Sequence, residues 1–330
     1  HELPAVEIDV VGGVGLGGGV VRPRVAGGVL VAARSEEEAS HGNGGRGEPE
    51  TAGLSCCHVH RTPFYPVPVP VPARLRSSLV QARYAADVGD FFKLALLERL
   101  RTPTEVGEAA LSLGIVWYLV DDESHNNDGK HITYLDPGSP AGGVLRPISP
   151  GMYDALAHVA AGERSVRRIE ESGALTPGTV SFAERLRLGD LASHDRAARR
   201  ARRADWLDRA VASIADCDLV CLDPDNGIRR DDHPVGPHRN RSEKHSYLSE
   251  VATLAGDDRS LVAYHHADRS APVSEQAHRR MDDLAHGLGR EPLAAVKTSR
   301  GAARLFLVVP ADRHRARISN RLAALAVGPT

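Results

Sequence analysis

Aromatic side chains make up only 4% of this 330-residue chain. That scarcity argues against a sheet surface that stacks successive bases. Cysteine is as sparse, with four residues in two close pairs, Cys56/Cys57 and Cys217/Cys221. Neither spacing is a zinc framework, and the second pair is expected to be small core residues sharing one strand face. Free thiols of that kind fit a reducing compartment, so a cytoplasmic protein is expected. No apolar run reaches the roughly 18 residues of a spanning helix, so no membrane segment is expected. The first residues also lack the basic and apolar regions of a secretory signal. Neither sign of charge dominates, with 41 Lys and Arg against 43 Asp and Glu. Nothing global therefore draws the chain to nucleic acid or to a membrane, and nothing fixes an oligomeric state.

Residues 1–78 are expected to be a disordered or low-complexity leader. Gly12 to Val21 is glycine-rich without a helical period. It resembles a dinucleotide-binding loop, but no helical pattern follows and Pro23 comes soon after. Pro66 to Pro72 alternates Val with Pro, which enforces an extended strut. The composition also fits upstream sequence read outside the true frame, since the chain begins at His1.

From Leu79 the pattern is that of one α/β domain running to residue 330. A helix of about three turns ends near Arg101, with Asp90 expected as its N-cap and Lys93 in its first turn. Leu113 to Val120 is the strongest strand signal and opens into the loop Asp121-Asp122-Glu123-Ser124-His125-Asn126-Asn127-Asp128-Gly129-Lys130-His131. Carboxylates packed so closely repel one another unless a cation sits among them. Helical periodicity marks 152–160, 164–172, 195–215, a segment after Ser246, 274–288 and 312–326. Strands are expected at 179–183, 218–222 and 259–264, with a hairpin at 293–298 and 304–309. Arg196, Arg199, Arg200, Arg202 and Arg203 form the one dense basic run. It suits either contact with a nucleic-acid backbone or a solvated helix face.

The stretch Asp218-Leu-Val-Cys-Leu-Asp223-Pro224-Asp225-Asn226-Gly227 breaks from a buried strand directly into a turn. Pro224 cannot extend a central ladder, and Asn226-Gly227 favours a tight turn. Alternating strands and helices predict a mostly parallel open sheet with helices on both faces, a Rossmann-like fold with a C-terminal antiparallel hairpin. Right-handed crossovers then bring all parallel strand ends to one edge. That rim collects the 121–131 loop, Glu184, Asp223, Asp225, Asn226, His265 and His266.

Four motifs carry a resemblance: Tyr84…Asp87-Val-Gly-Asp-Phe…Lys93, Trp117-Tyr-Leu…Asp122-Glu-Ser-His-Asn-Asn-Asp-Gly, Leu222-Asp-Pro-Asp-Asn-Gly, and Tyr264-His-His…Arg269. Together they resemble a family of bacterial proteins whose activity is not established. The layout is similar, more distantly, to class I methyltransferases that modify an adenine amino group in ribosomal RNA. That resemblance implies an S-adenosylmethionine site. Asp87, Asp90 and Lys93 would lie near the cofactor, with Asp121, Asp122, Glu123, His125, Asn127 and Asp128 after the first strand, and Glu184 toward the adenosine. Asp223, Pro224, Asp225, Asn226, His265 and His266 would form the catalytic end. The chain departs from that pattern at three points. The glycine-rich cofactor loop is replaced by Ser124-His-Asn-Asn-Asp-Gly129, Asp225 stands for a second proline, and Asn226 stands for an aromatic.

Two other readings use the same residues. Asp122, Asp128, Asp223 and Asp225 offer hard oxygen ligands for Mg2+ or Mn2+, as in a metal-dependent phosphodiesterase or nuclease. Alternatively the rim binds a nucleotide without catalysis. Partners expected are a nucleic acid at Arg196–Arg203 and no membrane.

Overall fold

The computed structural model describes residues 8–12, 84–120, 131–239, 241–298 and 303–327. Its centre is made by strands that are apolar on both faces, as expected for strands covered by helices on either side. β2 (Leu113–Tyr118) and β9 (Arg304–Val309) are buried at every position. With β1 (Ile8–Gly12), β3 (Val180–Phe182), β4 (Leu219–Pro224), β7 (Ser260–His266) and β8 (Ala294–Thr298) they form one sheet in the order β1-β8-β9-β7-β4-β2-β3. The pairs β3/β2, β2/β4 and β4/β7 are parallel, whereas β9 runs antiparallel to both β7 and β8. The α/β sheet with an antiparallel C-terminal pair thus matches the sequence expectation. The last strand is not simply added at one side, because β9 inserts between β7 and β8.

Among the described residues eight α-helices accompany the sheet. In chain order they are α1 (Val88–Arg101), α2 (Pro140–Leu145), α3 (Pro150–Ala161), α4 (Val166–Glu171), α5 (Arg196–Ser213), α6 (Leu248–Ala255), α7 (Val273–Leu288) and α8 (Arg315–Val327). Strand periodicity divides the core into two layers. Leu113, Ile115, Trp117, Leu219, Cys221 and Val262 pack with α1, α3 and α8. Val116, Tyr118, Val220, Leu222, Leu261 and Ala263 pack with α5, α6 and α7. The expectation that Cys217 and Cys221 share a face fails for this reason. Cys217 precedes the strand and belongs to the second layer, while Cys221 faces the first.

Several boundaries move. Residues 8–12, expected in an unfolded leader, form β1 on the open edge of β8. An unpaired edge is a template for any β-branched segment, and Ile8-Asp-Val-Val fills it. Pro224 stays in register opposite Tyr118, but β4 pairs with β7 only as far as Leu222. Its missing N–H is therefore tolerated at the strand end. His265 and His266 are the last residues of β7 rather than residues after it. The stretch read as a polar loop holds a second, two-stranded parallel sheet, β5 (Gly227–Arg229) with β6 (His245–Tyr247). Ser246 lies in β6, and α6 is instead opened by Tyr247, whose N–H donates to Glu250 Oε2.

The arginine run on α5 is split by helical geometry. Arg196, Arg200 and Arg202 are exposed, whereas Arg199 and Arg203 are buried. The Arg199 guanidinium donates to the carbonyls of Leu188 (2.6 Å), His238 (2.8 Å), Arg239 (3.0 Å) and Leu191 (3.3 Å). Arg203 pairs with buried Glu250 and donates to the carbonyls of Ser242 and His245. Two of the five arginines are thus internal staples for the segment around β6. Removing one partner of such a pair strands a buried charge. Arg203→Ala is expected to lower stability by about 3–5 kcal/mol in urea unfolding. Arg200→Ala is expected to change it by less than about 0.5 kcal/mol.

Candidate functional site

The start of α1 is held by a dense set of polar contacts. Asp87, rather than Asp90, is the N-cap, and its Oδ1 accepts from the amides of Gly89 (2.6 Å) and Asp90 (3.3 Å). Its Oδ2 pairs with Arg304 at 2.8 Å. Asp90 sits in the first turn, and its Oδ2 accepts from the Ala86 amide at 2.9 Å. Ala86 has φ +63°, a left-handed backbone that costs a non-glycine residue about 1–2 kcal/mol. The Asp90 contact and the Tyr134 hydroxyl, which donates to the Ala86 carbonyl at 3.4 Å, hold it there. Gly89 allows the close approach of the arginine, since a Cβ there would lie 2.6 Å from Arg304 Nε.

Because the helix begins at Val88, Lys93 falls in its second turn, not its first. Helical side chains lean toward the N-terminus, and Lys93 reaches back over that turn. Its Nζ lies 2.7 Å from Asp90 Oδ1 and 2.7 Å from Asp223 Oδ2. It also lies 4.2 Å from the centre of the Trp117 ring. Lys93 is 3% exposed. Burial works against its charge, but the carboxylates of Asp223 and then Asp90 outweigh it, and its pKa is held above the ordinary value. Asp223 is the counterpart. Burial raises its carboxyl above the usual aspartate range, with Lys93 opposing. Asp223 Oδ1 accepts from no described residue, and the side chain is 21% exposed.

Strand alternation sorts the rim into two sides. Trp117, Asp223, Tyr264, His266 and Arg304 follow the parity of the α1 layer. His266 Nδ1 meets the Tyr264 hydroxyl at 3.4 Å on that side. His265 points to the other layer, where its Nδ1 accepts from the Ile228 amide at 3.2 Å. Burial, then Arg280, pushes the His265 imidazole down to about 3, so it is neutral near pH 7. Gly227 makes this packing possible. Its φ is +90°, and a Cβ would stand 2.4 Å from His265 Nδ1.

The structure therefore brings together Asp87, Asp90, Lys93, Asp223 and Pro224, with Asp225 and Asn226 on the turn that follows. Asp225 pairs with Lys244 at 3.1 Å, and the Asn226 amide donates to the Lys244 carbonyl at 2.8 Å. Glu184 is not at this crevice by its contacts. It is exposed and pairs with Arg209 of α5 at 2.8 Å. Asp121, Asp122, Glu123, His125, Asn127 and Asp128 lie outside the described residues. Their segment is flanked by Val120, just after β2, and by His131, whose carbonyl accepts from the Val88 amide at 3.1 Å. Of the carboxylates considered for a metal, Asp223 and Asp225 are each paired with a lysine, Lys93 and Lys244. Among the described residues no group of three or more His, Cys, Asp or Glu is disposed to hold a metal. Trp117 and Arg304 were not singled out from the sequence. Their signal was strand parity, which puts both on the sheet face of Asp223, Trp117 beside it and Arg304 opposite His266.

No protein-family model matches the chain, and a comparison with curated proteins returns no match.

The crevice is a topological switch point. β2 leads by one crossover to β3 on its one side, and the chain then returns to β4 on its other side. In open α/β sheets this is where ligands bind, outside the carboxyl ends of the strands. Lys93→Met is expected to leave two carboxylates facing an apolar chain, destabilising the fold by about 3–5 kcal/mol near pH 7. Asp223 already titrates above its ordinary 3.8 through burial. Without the lysine its folded pKa rises further, so the variant's stability is retained in acid and lost as pH rises through that value. Urea unfolding at pH 5 and pH 8 is expected to show the smaller deficit at pH 5.

Proposed function

We propose that the chain is an S-adenosylmethionine-dependent methyltransferase-like protein of the cytoplasm, acting on an amino group of a nucleic acid or a small amine. The observation that carries this reading is Asp223 at the β2/β4 switch point, with one carboxylate oxygen fixed by Lys93 and the other accepting from no described residue. Asp90 and Asp223 share the Lys93 ammonium, while Asp87 and Asp225 are paired with Arg304 and Lys244. S-adenosylmethionine supplies, when bound, a methyl group on a positively charged sulfur.

The residues present would serve the acceptor. Asp223 Oδ1 accepts an N–H of the amine, which turns the nitrogen lone pair toward the methyl donor. Its raised pKa makes it a better proton acceptor than a solvated aspartate. Lys93 keeps the carboxylate in one orientation and does not itself give up its proton. Exposed Arg196, Arg200 and Arg202 on α5 leave a smaller basic face for a nucleic acid than the sequence suggested. Buried free Cys217 and Cys221 support a reducing compartment. Among the described residues no helix is long and apolar enough to cross a membrane. Mg2+ or Mn2+ chemistry at the same rim has weaker support, since a lysine ammonium already compensates both Asp223 and Asp225.

Calorimetry of the full chain with S-adenosylmethionine in metal-free buffer tests this. The expected result is one site of roughly micromolar affinity, competed by S-adenosylhomocysteine. Asp223→Asn leaves Lys93 with Asp90 alone, so a lower melting temperature is expected; assayed at a temperature where the variant is folded, methyl transfer to RNA or polyamine acceptors is expected to fall by about 100-fold or more. A folded protein that takes up neither compound overturns the reading.

A further inference from the structure

On the far face of the sheet from Lys93 lies a cavity of 490 Å³, bounded by β5, β6, the end of β7 and α7. Its volume is that of a small-molecule site. Its walls carry four arginines and four histidines against two aspartates. Three of the arginines are matched by carboxylates: Arg230 by Asp232 at 3.1 Å, Arg280 by Asp283 at 2.6 Å, and Arg279 by Glu275. Arg229 is different. Among the described residues it meets no carboxylate, only His233 Nδ1 at 3.4 Å. Burial, with Arg280 nearby, lowers its pKa. The second aspartate, Asp268, is turned to the Ser270 amide at 2.8 Å.

Two further polar atoms at this cavity have no partner. Arg280 Nε and His245 Nδ1 are buried without a hydrogen bond. His245 is only 6% exposed, and an orphaned polar atom at that depth costs about 1–3 kcal/mol. Burial, then Arg229, pushes the His245 imidazole down to about 3, so it adds no positive charge here. The Arg229 guanidinium, met by no described carboxylate and set beside Arg280 among histidines of lowered pKa, is an arrangement completed by an anion.

We infer that this cavity is a phosphate-binding site, with Arg229 and Arg280 as its donors. A tetrahedral phosphate accepts from several directions at once, which suits donors on two separate elements. Asn226 and His266 line the same cavity and belong to the rim that carries Asp223. The assignment stands on its own, whatever cofactor the switch-point crevice takes.

The test is thermal melting and calorimetry of the full 330-residue chain with sodium phosphate, adenosine 5′-monophosphate and a short single-stranded RNA. Ionic strength is matched with chloride, because non-specific charge effects are screened equally. At least one phosphate species is expected to raise the melting temperature above the chloride control. Arg229→Gln is expected to weaken that binding by about tenfold or more, to abolish the thermal shift, and to leave the ligand-free melting temperature unchanged or higher. Arg229→Lys is expected to retain most of the binding. Tighter binding of RNA than of the mononucleotide identifies a phosphodiester backbone, and the reverse identifies a free nucleotide. Either result upholds the phosphate site. The assignment is overturned if no phosphate species exceeds chloride, or if Arg229→Gln binds as the wild type does.

Discussion

The buried ammonium of Lys93 is the constraint on which the rest of the crevice depends. A lysine this deep is tolerated only where carboxylates meet it, and the two that do so come from distant parts of the chain. Asp90 belongs to the same helix, while Asp223 arrives 130 residues later on β4. The lysine therefore fixes α1 against the sheet edge and orients Asp223 at the same time. Arg304 does the same for Asp87 from the last strand. The contacts that hold the helix start in place are thus the same ones that orient the Asp223 carboxylate at the end of β4.

Much of the fold was legible in the sequence because its strands are short apolar runs and its helices have plain amphipathic periods. Leu113 to Tyr118 and Arg304 to Val309 could be placed from composition alone. What could not be placed depended on partners far away. β1 is a strand because β8 offers an open edge. β5 and β6 are three residues each and pair only with one another, which is too short for periodicity to register. The position of β9 between β7 and β8 is a matter of topology, to which a hairpin pattern is blind.

The candidate site was legible in part. Asp223 and Lys93 were visible as polar residues at positions where packing alone would prefer apolar ones. Asp90 was mistaken for the cap because Asp87 and Asp90 are spaced so that either can accept first-turn amides; Arg304, invisible to local patterns, settles Asp87 as the cap. The arginine run of α5 shows the opposite error. Five arginines in eight positions suggest a solvent-facing charged surface, yet the helical turn sends Arg199 and Arg203 inward to backbone carbonyls and to Glu250. Charge density along a sequence thus overstates the charge a partner would meet.

The late position of β9 has a consequence for how the protein is made. Arg304 closes its ion pair with Asp87 across 217 residues of sequence. A ribosome must release everything from α1 to β9 before the start of α1 receives its guanidinium partner and before β8 gains the neighbour that joins it to the sheet. Until then the growing polypeptide carries β7 with one bare edge, and the corner around Asp87 and Asp223 lacks its final brace. Closure of that corner in this way waits for β9, and a transcript cut short before it would leave the corner unfinished.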